Sequence, residues 1–123
     1  MTIDIEGVIM EKYYFAYGSN MNLRQMQDRC PNASFLAKAK LKGYKVVYDG
    51  YSHYRDGAVA NIVESLNDFV YGAVFFIDEK DERTLDSYEG YPKSYQKKEF
   101  DVEGEDGIIY HVFVYLREPQ KIG

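Results

Sequence analysis

The arrangement of apolar and polar positions predicts more strand than helix. Lys12-Tyr13-Tyr14-Phe15-Ala16-Tyr17 is a compact aromatic run stopped by Gly18-Ser19-Asn20, the pattern of a buried strand. Asn22, with Gln25 three residues on, resembles a capping box; Leu23, Met26 and Cys30 then recur at helical spacing until Pro31 ends the pattern. Strands are expected from Phe35 to Leu41 and from Tyr44 to Tyr48. A polar loop, Asp49 to Gly57, precedes another strand from Ala58 to Val63. Phe69 to Ile77 is apolar at positions of both parities, which predicts a central strand covered on both faces. Asp78 suits an N-cap, and Glu79, Asp81 and Glu82 complement the positive end of a helix. Leu85 and Tyr88 supply a short inward stripe, Gly90 suits the left-handed position after a helix, and Pro92 prevents continuation. A largely polar strand from Ser94 to Val102, a turn at Asp106-Gly107 and a last strand from Ile108 to Leu116 complete the chain. This order predicts an α+β fold on a mainly β core, a small closed or strongly curved sheet.

Composition narrows the picture. A chain of 123 residues fits a single domain spanning 1–123, long enough to form a core without disulfides or metals. Hydrophobic residues at 46% and charged residues at 28% suit a soluble globular protein. Thirteen Tyr and seven Phe with no Trp fit strands that face both a core and a wet cavity, because Tyr joins an apolar ring to a hydroxyl. The net charge of −5 opposes non-specific nucleic-acid binding, which needs a concentrated positive field. Cys30 is the single cysteine, so no intramolecular disulfide forms, as in a reducing compartment. No run of about 20 apolar residues is present, so no membrane span is expected. Residues 1–10 have neither a basic start nor a long apolar block, so no signal peptide is expected and the cytoplasm is the expected location.

Two segments carry candidate chemistry. In Tyr17-Gly18-Ser19-Asn20, glycine permits a tightly bent backbone whose exposed N–H groups form a nest beside a helix start. Such a nest suits a carboxylate or a developing oxyanion, although an ordinary tight turn with an Asn cap gives the same pattern. In Leu85-Asp86-Ser87-Tyr88-Glu89-Gly90-Tyr91-Pro92, Glu89 falls in the last turn of the short helix. The negative helix end and desolvation among Tyr88, Tyr91 and Tyr95 both disfavour its charged form, which suits a general acid–base residue. The alternative is a solvated surface glutamate. Cys30 reads as a small core residue. His53 and His111 lack companions at metal-ligand spacing, so no metal site is expected. No nucleophile-elbow, Walker-type or dinucleotide-binding sequence occurs. Tyr71, Tyr110, Phe113 and Tyr115 fit a base-stacking platform in type, but the acidic balance favours core or pocket packing.

The run Tyr14-Phe15-Ala16-Tyr17-Gly18-Ser19-Asn20-Met21 resembles the opening signature of the γ-glutamyl cyclotransferase-like proteins. That group includes γ-glutamylamine cyclotransferases and plant proteins named for avirulence-induced expression. The similarity continues through Ala39 to Tyr44, Gly57 to Ile62, Val70 to Phe75 and Leu85 to Gly90, and reaches Tyr95 and Val114-Tyr115-Leu116. It spans residues 13 to 116, and the opening motif followed by an LD-x-x-EG segment is fairly specific as an ordered pair. The resemblance implies a small mixed β-barrel with flanking short helices. It also implies a substrate loop of Tyr17, Gly18, Ser19, Asn20 and Met21, with Glu89 as the acid–base residue and Tyr95 and Tyr115 near the pocket. The implied activity is cofactor-independent cyclisation of a small γ-glutamyl amino acid or amine, of acyltransferase or lyase type, releasing 5-oxoproline. Neither nucleic acid nor membrane is an expected partner. Two other readings stay open at this point. One is a non-catalytic protein of the same fold that binds a small carboxylate; the other is an aromatic-rich β module that binds RNA or a protein.

Overall fold

The computed structural model describes residues 11–18, 23–52 and 57–117. In chain order these form β1 (Glu11–Ala16), α1 (Leu23–Arg29), β2 (Ser34–Ser52), β3 (Gly57–Asp78), α2 (Glu79–Glu89), β4 (Gln96–Gly104) and β5 (Ile109–Leu116). The strands close a barrel in the order β1-β3-β2-β4-β5. All described pairings are antiparallel except β1 with β5, which run parallel and meet at Tyr14 and Phe113. The expected small mixed barrel with short flanking helices is the fold observed.

Four of the expected strands merge into two. The segments expected at 35–41 and 44–48 are one 19-residue strand, and those at 58–63 and 69–77 are one 22-residue strand. The breaks that suggested strand ends are absorbed instead as register shifts at Lys42/Tyr44 and Tyr48/Gly50, and a third shift, at Phe35/Ala37, falls inside the first expected segment. A bulge adds bend and twist without ending a ladder, and a small barrel needs both. The loop expected from Asp49 to Gly57 shrinks accordingly, because 49–52 belong to β2 and 57 to β3, and only 53–56 lie outside the described residues.

Two apolar layers hold the molecule together. Phe15, Ala37, Ala39, Leu41, Ile62, Val70, Val74, Val102, Val112 and Val114 form one cluster with no helical member, the barrel interior. Tyr14, Ala16, Ala73, Phe75, Ile77, Phe113 and Tyr115 alternate with them and pack against Met26, Cys30 and Leu85 beneath the helices. From Tyr14 to Ala16 strand β1 is therefore buried on both faces, which is why its sequence does not alternate there. The expected two-faced burial of Phe69 to Ile77 holds only from Gly72 onward. Phe69 and Tyr71 are exposed, since helix contacts cover only the later part of β3. Gly72 lets β1 approach closely: a Cβ there would run into the Ala16 carbonyl oxygen and lie 2.6 Å from the Phe15 ring.

Helix α2 is specified locally at both ends. The Asp81 N–H donates to Asp78 Oδ1 at 2.7 Å and the Asp78 N–H donates to Asp81 Oδ2 at 3.3 Å, a reciprocal capping box. Gly90 ends the helix at φ 70°, its N–H directed at the Asp86 and Ser87 carbonyls. Leu85 is wholly buried, a contribution of about 1.5–3 kcal/mol for such a side chain. Tyr88, expected to face inward, is exposed instead; the Arg29 guanidinium lies 3.5 Å from its ring centroid and ties α1 to α2. The expected cap at Asn22 lies outside the described residues, while Met26 and Cys30 are buried on the α1 side as the helical spacing predicted. Among the described residues no helix is long and apolar enough to cross a membrane.

Candidate active site

Tyr17 and Gly18 leave the end of β1, and Ser19, Asn20 and Met21 of the expected substrate loop lie outside the described residues. Gly18 has φ 63°, a left-handed backbone, and a Cβ on it would sit 3.1 Å from the Ala60 Cβ of β3. The Tyr17 hydroxyl donates to the Tyr115 carbonyl at 2.6 Å, joining the start of the turn to the end of β5. The Tyr95 hydroxyl donates to the Ala60 carbonyl at 2.9 Å, so Tyr95 reaches the β3 segment that faces Gly18. The neighbouring Asn61 is fully buried. Its Nδ2 donates to the Arg117 carbonyl and its Oδ1 accepts the Arg117 N–H, both at 2.8 Å. The Arg117 guanidinium lies 5.2 Å from the Tyr95 ring centroid. Tyr17, Gly18, Ala60, Asn61, Tyr95 and Arg117 thus gather at one end of the barrel. Asn61 was not singled out from sequence; its signal was one amide inside the apolar run from Ala58 to Val63.

Glu89 is the last residue of α2 and only 5% exposed, so it is not a solvated surface glutamate. Its carboxylate belongs to the helix end where the macrodipole is negative. The following turn is held by the Tyr91 N–H donating to the Asp86 carbonyl at 2.9 Å and the Ser94 N–H to the Gly90 carbonyl at 2.8 Å. It contains a cis Tyr91-Pro92 bond and leads directly to Tyr95. Glu89 and Tyr95 are therefore placed by one short, hydrogen-bonded segment.

A polar network under α2 was also not apparent in the sequence. Lys97 Nζ of β4 lies 2.6 Å from Glu82 Oε2 and 2.8 Å from Asp86 Oδ1, two carboxylates one helical turn apart. Lys12 pairs with the other oxygen of Glu82 at 3.1 Å. The Tyr115 hydroxyl donates to the same Asp86 oxygen at 2.6 Å. Burial alone would lower the Lys97 pKa, but the hydrogen bonds and charges of Asp86 and Glu82 outweigh it and hold it above the ordinary lysine value. Burial, then the hydrogen bond to Asp86, raises the Tyr115 phenol well above its usual range. Tyr115 thus turns its side chain to the helix layer and offers its backbone carbonyl to Tyr17. Cys30 is a core residue, as expected: burial and then the Asp81 charge push its thiol up to about 12, so it is not a thiolate at neutral pH. His111 sits exposed with Nδ1 2.8 Å from Asp101. Among the described residues no group of three or more His, Cys, Asp or Glu is arranged to hold a metal ion.

The candidate site thus sits on a closed mixed barrel, between a left-handed glycine after β1 and a buried glutamate ending the second helix. The family model described as gamma-glutamyl cyclotransferase, AIG2-like, matches residues 14–122, and the chain belongs to this family. It is 33% identical over 92 residues to human gamma-glutamylcyclotransferase, covering 71% of this chain and 49% of that protein. With the mouse protein of the same name it shares 33% over 81 residues, covering 63% and 43%. The chain thus spans about half the length of the curated relatives it matches. A solved gamma-glutamyl cyclotransferase structure superposes with a TM-score of 0.83 at 28% identity, over 90% of this chain and 69% of that one.

Proposed function

We propose that this protein is a cyclotransferase that converts a small γ-glutamyl amino acid or amine into 5-oxoproline and a free amine, with Glu89 carrying the proton. The observation that supports this most is the burial of Glu89 at the end of a capped helix, six residues before Tyr95, whose hydroxyl meets the Ala60 carbonyl opposite Gly18. Family membership and the names of the relatives point the same way.

The chemistry needs little more than a proton carrier and a shaped turn. The substrate's α-amine can close a five-membered ring on its own γ-carbonyl, but with a pKa of about 8 it is mostly protonated at neutral pH. Glu89 takes one of its protons, and the amine lone pair forms the new C–N bond at the γ-carbon. Charge developing on the carbonyl oxygen is stabilised by backbone N–H groups of the turn that begins at Tyr17 and Gly18. As the tetrahedral centre collapses, the old C–N bond breaks and protonated Glu89 gives its proton to the departing nitrogen, while the second proton of the new ring nitrogen passes through the same carboxylate to that amine, which leaves as an ammonium. Because the nucleophile is already attached to its target, the site mainly selects a conformer and moves protons. Tyr95 and Tyr115 enter as supports of the site, Tyr95 through Ala60 and Tyr115 through Tyr17.

The test is 5-oxoproline release from a panel of γ-glutamyl amino acids and amines, with native protein beside Glu89→Gln. Turnover by the native protein and a loss of about a hundredfold or more in the variant are expected. Equal turnover in both removes Glu89 from its role. Saturable binding of γ-glutamyl compounds without turnover, by folded native protein, replaces the enzyme with a carboxylate-binding protein.

A further inference from the structure

We propose that Lys97 and Asp86 are positioning residues that fix Glu89 relative to the turn at Gly18, acting through Tyr115 and Tyr17. The path is continuous: Lys97 Nζ to Asp86 Oδ1 at 2.8 Å, Tyr115 Oη to the same oxygen at 2.6 Å, and Tyr17 Oη to the Tyr115 carbonyl at 2.6 Å. Asp86 is the hub. Its side chain takes the Lys97 and Tyr115 donors, and its carbonyl accepts the Tyr91 N–H at 2.9 Å, closing the turn that follows Glu89. One residue therefore joins the helix that ends in Glu89 to both β4 and β5.

Apolar contacts such as Leu85 resist separation of helix and barrel but allow small slides. Charge-assisted hydrogen bonds of fixed length do not. Lys97 grips Glu82 and Asp86 together, one turn apart, so sliding or rolling of α2 stretches at least one of the two bonds. Its amine is further enclosed by the rings of Tyr91 at 4.4 Å and Phe113 at 5.4 Å. A buried ion pair replaced by apolar residues often costs no stability, so this arrangement is better explained by register than by stability. Register matters in a reaction where a misplacement of about 1 Å costs up to about a hundredfold. The catalytic part of the inference rests on the cyclotransferase reading; the mechanical link does not.

The experiment compares Tyr115→Phe, Lys97→Met, Lys97→Arg and the Tyr115→Phe/Lys97→Met double variant, by amide NMR and by steady-state kinetics on the native protein's best γ-glutamyl substrate. The Gly18 and Gly90 amide resonances are expected to move in both single variants, although Lys97 touches neither residue. In turnover, kcat falls about tenfold with KM within about twofold, Lys97→Arg recovers most of the loss, and the double variant is no worse than the weaker single. Unmoved Gly18 amides in both single variants overturn the link. Losses that follow only the folded fraction, an effect confined to KM, or no rescue by arginine overturn the positioning role. A native protein silent on every γ-glutamyl compound overturns the cyclotransferase reading and the catalytic part with it, while the amide shifts still decide the link.

Discussion

Asn61 shows how much one buried amide determines. It stands fully buried in a strand whose neighbours are apolar, and it spends its donor and its acceptor on the two backbone groups of Arg117. Asn61→Ala leaves both of those groups without their side-chain partner, which costs of order 2 kcal/mol where water cannot reach them. We expect the urea midpoint to fall with no change in slope, and an unchanged midpoint would mean that water replaces the amide. Glu89 and Asn61 differ in how visible they were. Glu89 announces itself through a local motif, a short helix followed by glycine and proline. The task of Asn61 is done 56 residues away, and nothing in its own neighbourhood states it. Lys97 and Asp86 are hidden for the same reason, since they lie on different elements and each alone reads as a surface charge.

At the scale of elements, the second helix was legible because its caps are local chemistry. Asp78 and Gly90 were assigned from sequence and both occupy the expected cap positions. Gly90→Ala is expected to be costly, because the left-handed backbone costs a side-chain residue about 1–2 kcal/mol and the new Cβ would lie 2.9 Å from Ser94 Oγ. A thermal midpoint lowered by several degrees, with reduced 5-oxoproline release from the displaced turn at 90–94, is the expected pair of results. A midpoint equal to that of the native protein would show that the turn adapts freely. The long strands were not legible in the same way. A polar residue or glycine within an apolar run reads as an end, and only the partner strand decides whether it is a bulge. Tyr88 was misjudged because helical spacing counts apolar residues and cannot tell a core contact from a ring that stacks beneath an arginine.

For the whole molecule, the two apolar layers share β1, β3 and β5, each contributing to both. Neither layer survives loss of the other, so barrel and helices are expected to unfold together. Far-ultraviolet dichroism and tyrosine fluorescence, the usable intrinsic signal in a chain without Trp, should give coincident urea transitions. Two separated transitions would divide the 123 residues into independent units and refute the single-domain reading. The order of elements was enough to anticipate a curved sheet with short helices. Closure itself needed the parallel contact of β1 with β5, a pairing between segments about a hundred residues apart.

That contact has a consequence for synthesis. A nascent chain that has emerged only through Gly104 already holds the turn at Gly18, the β3 segment at Ala60 and the helix ending in Glu89. It lacks Tyr115 and Arg117, the two residues through which Tyr17, Asp86 and Asn61 are fastened to one another. The barrel stays open along one seam until β5 arrives, and the candidate site comes together only once that strand has left the ribosome.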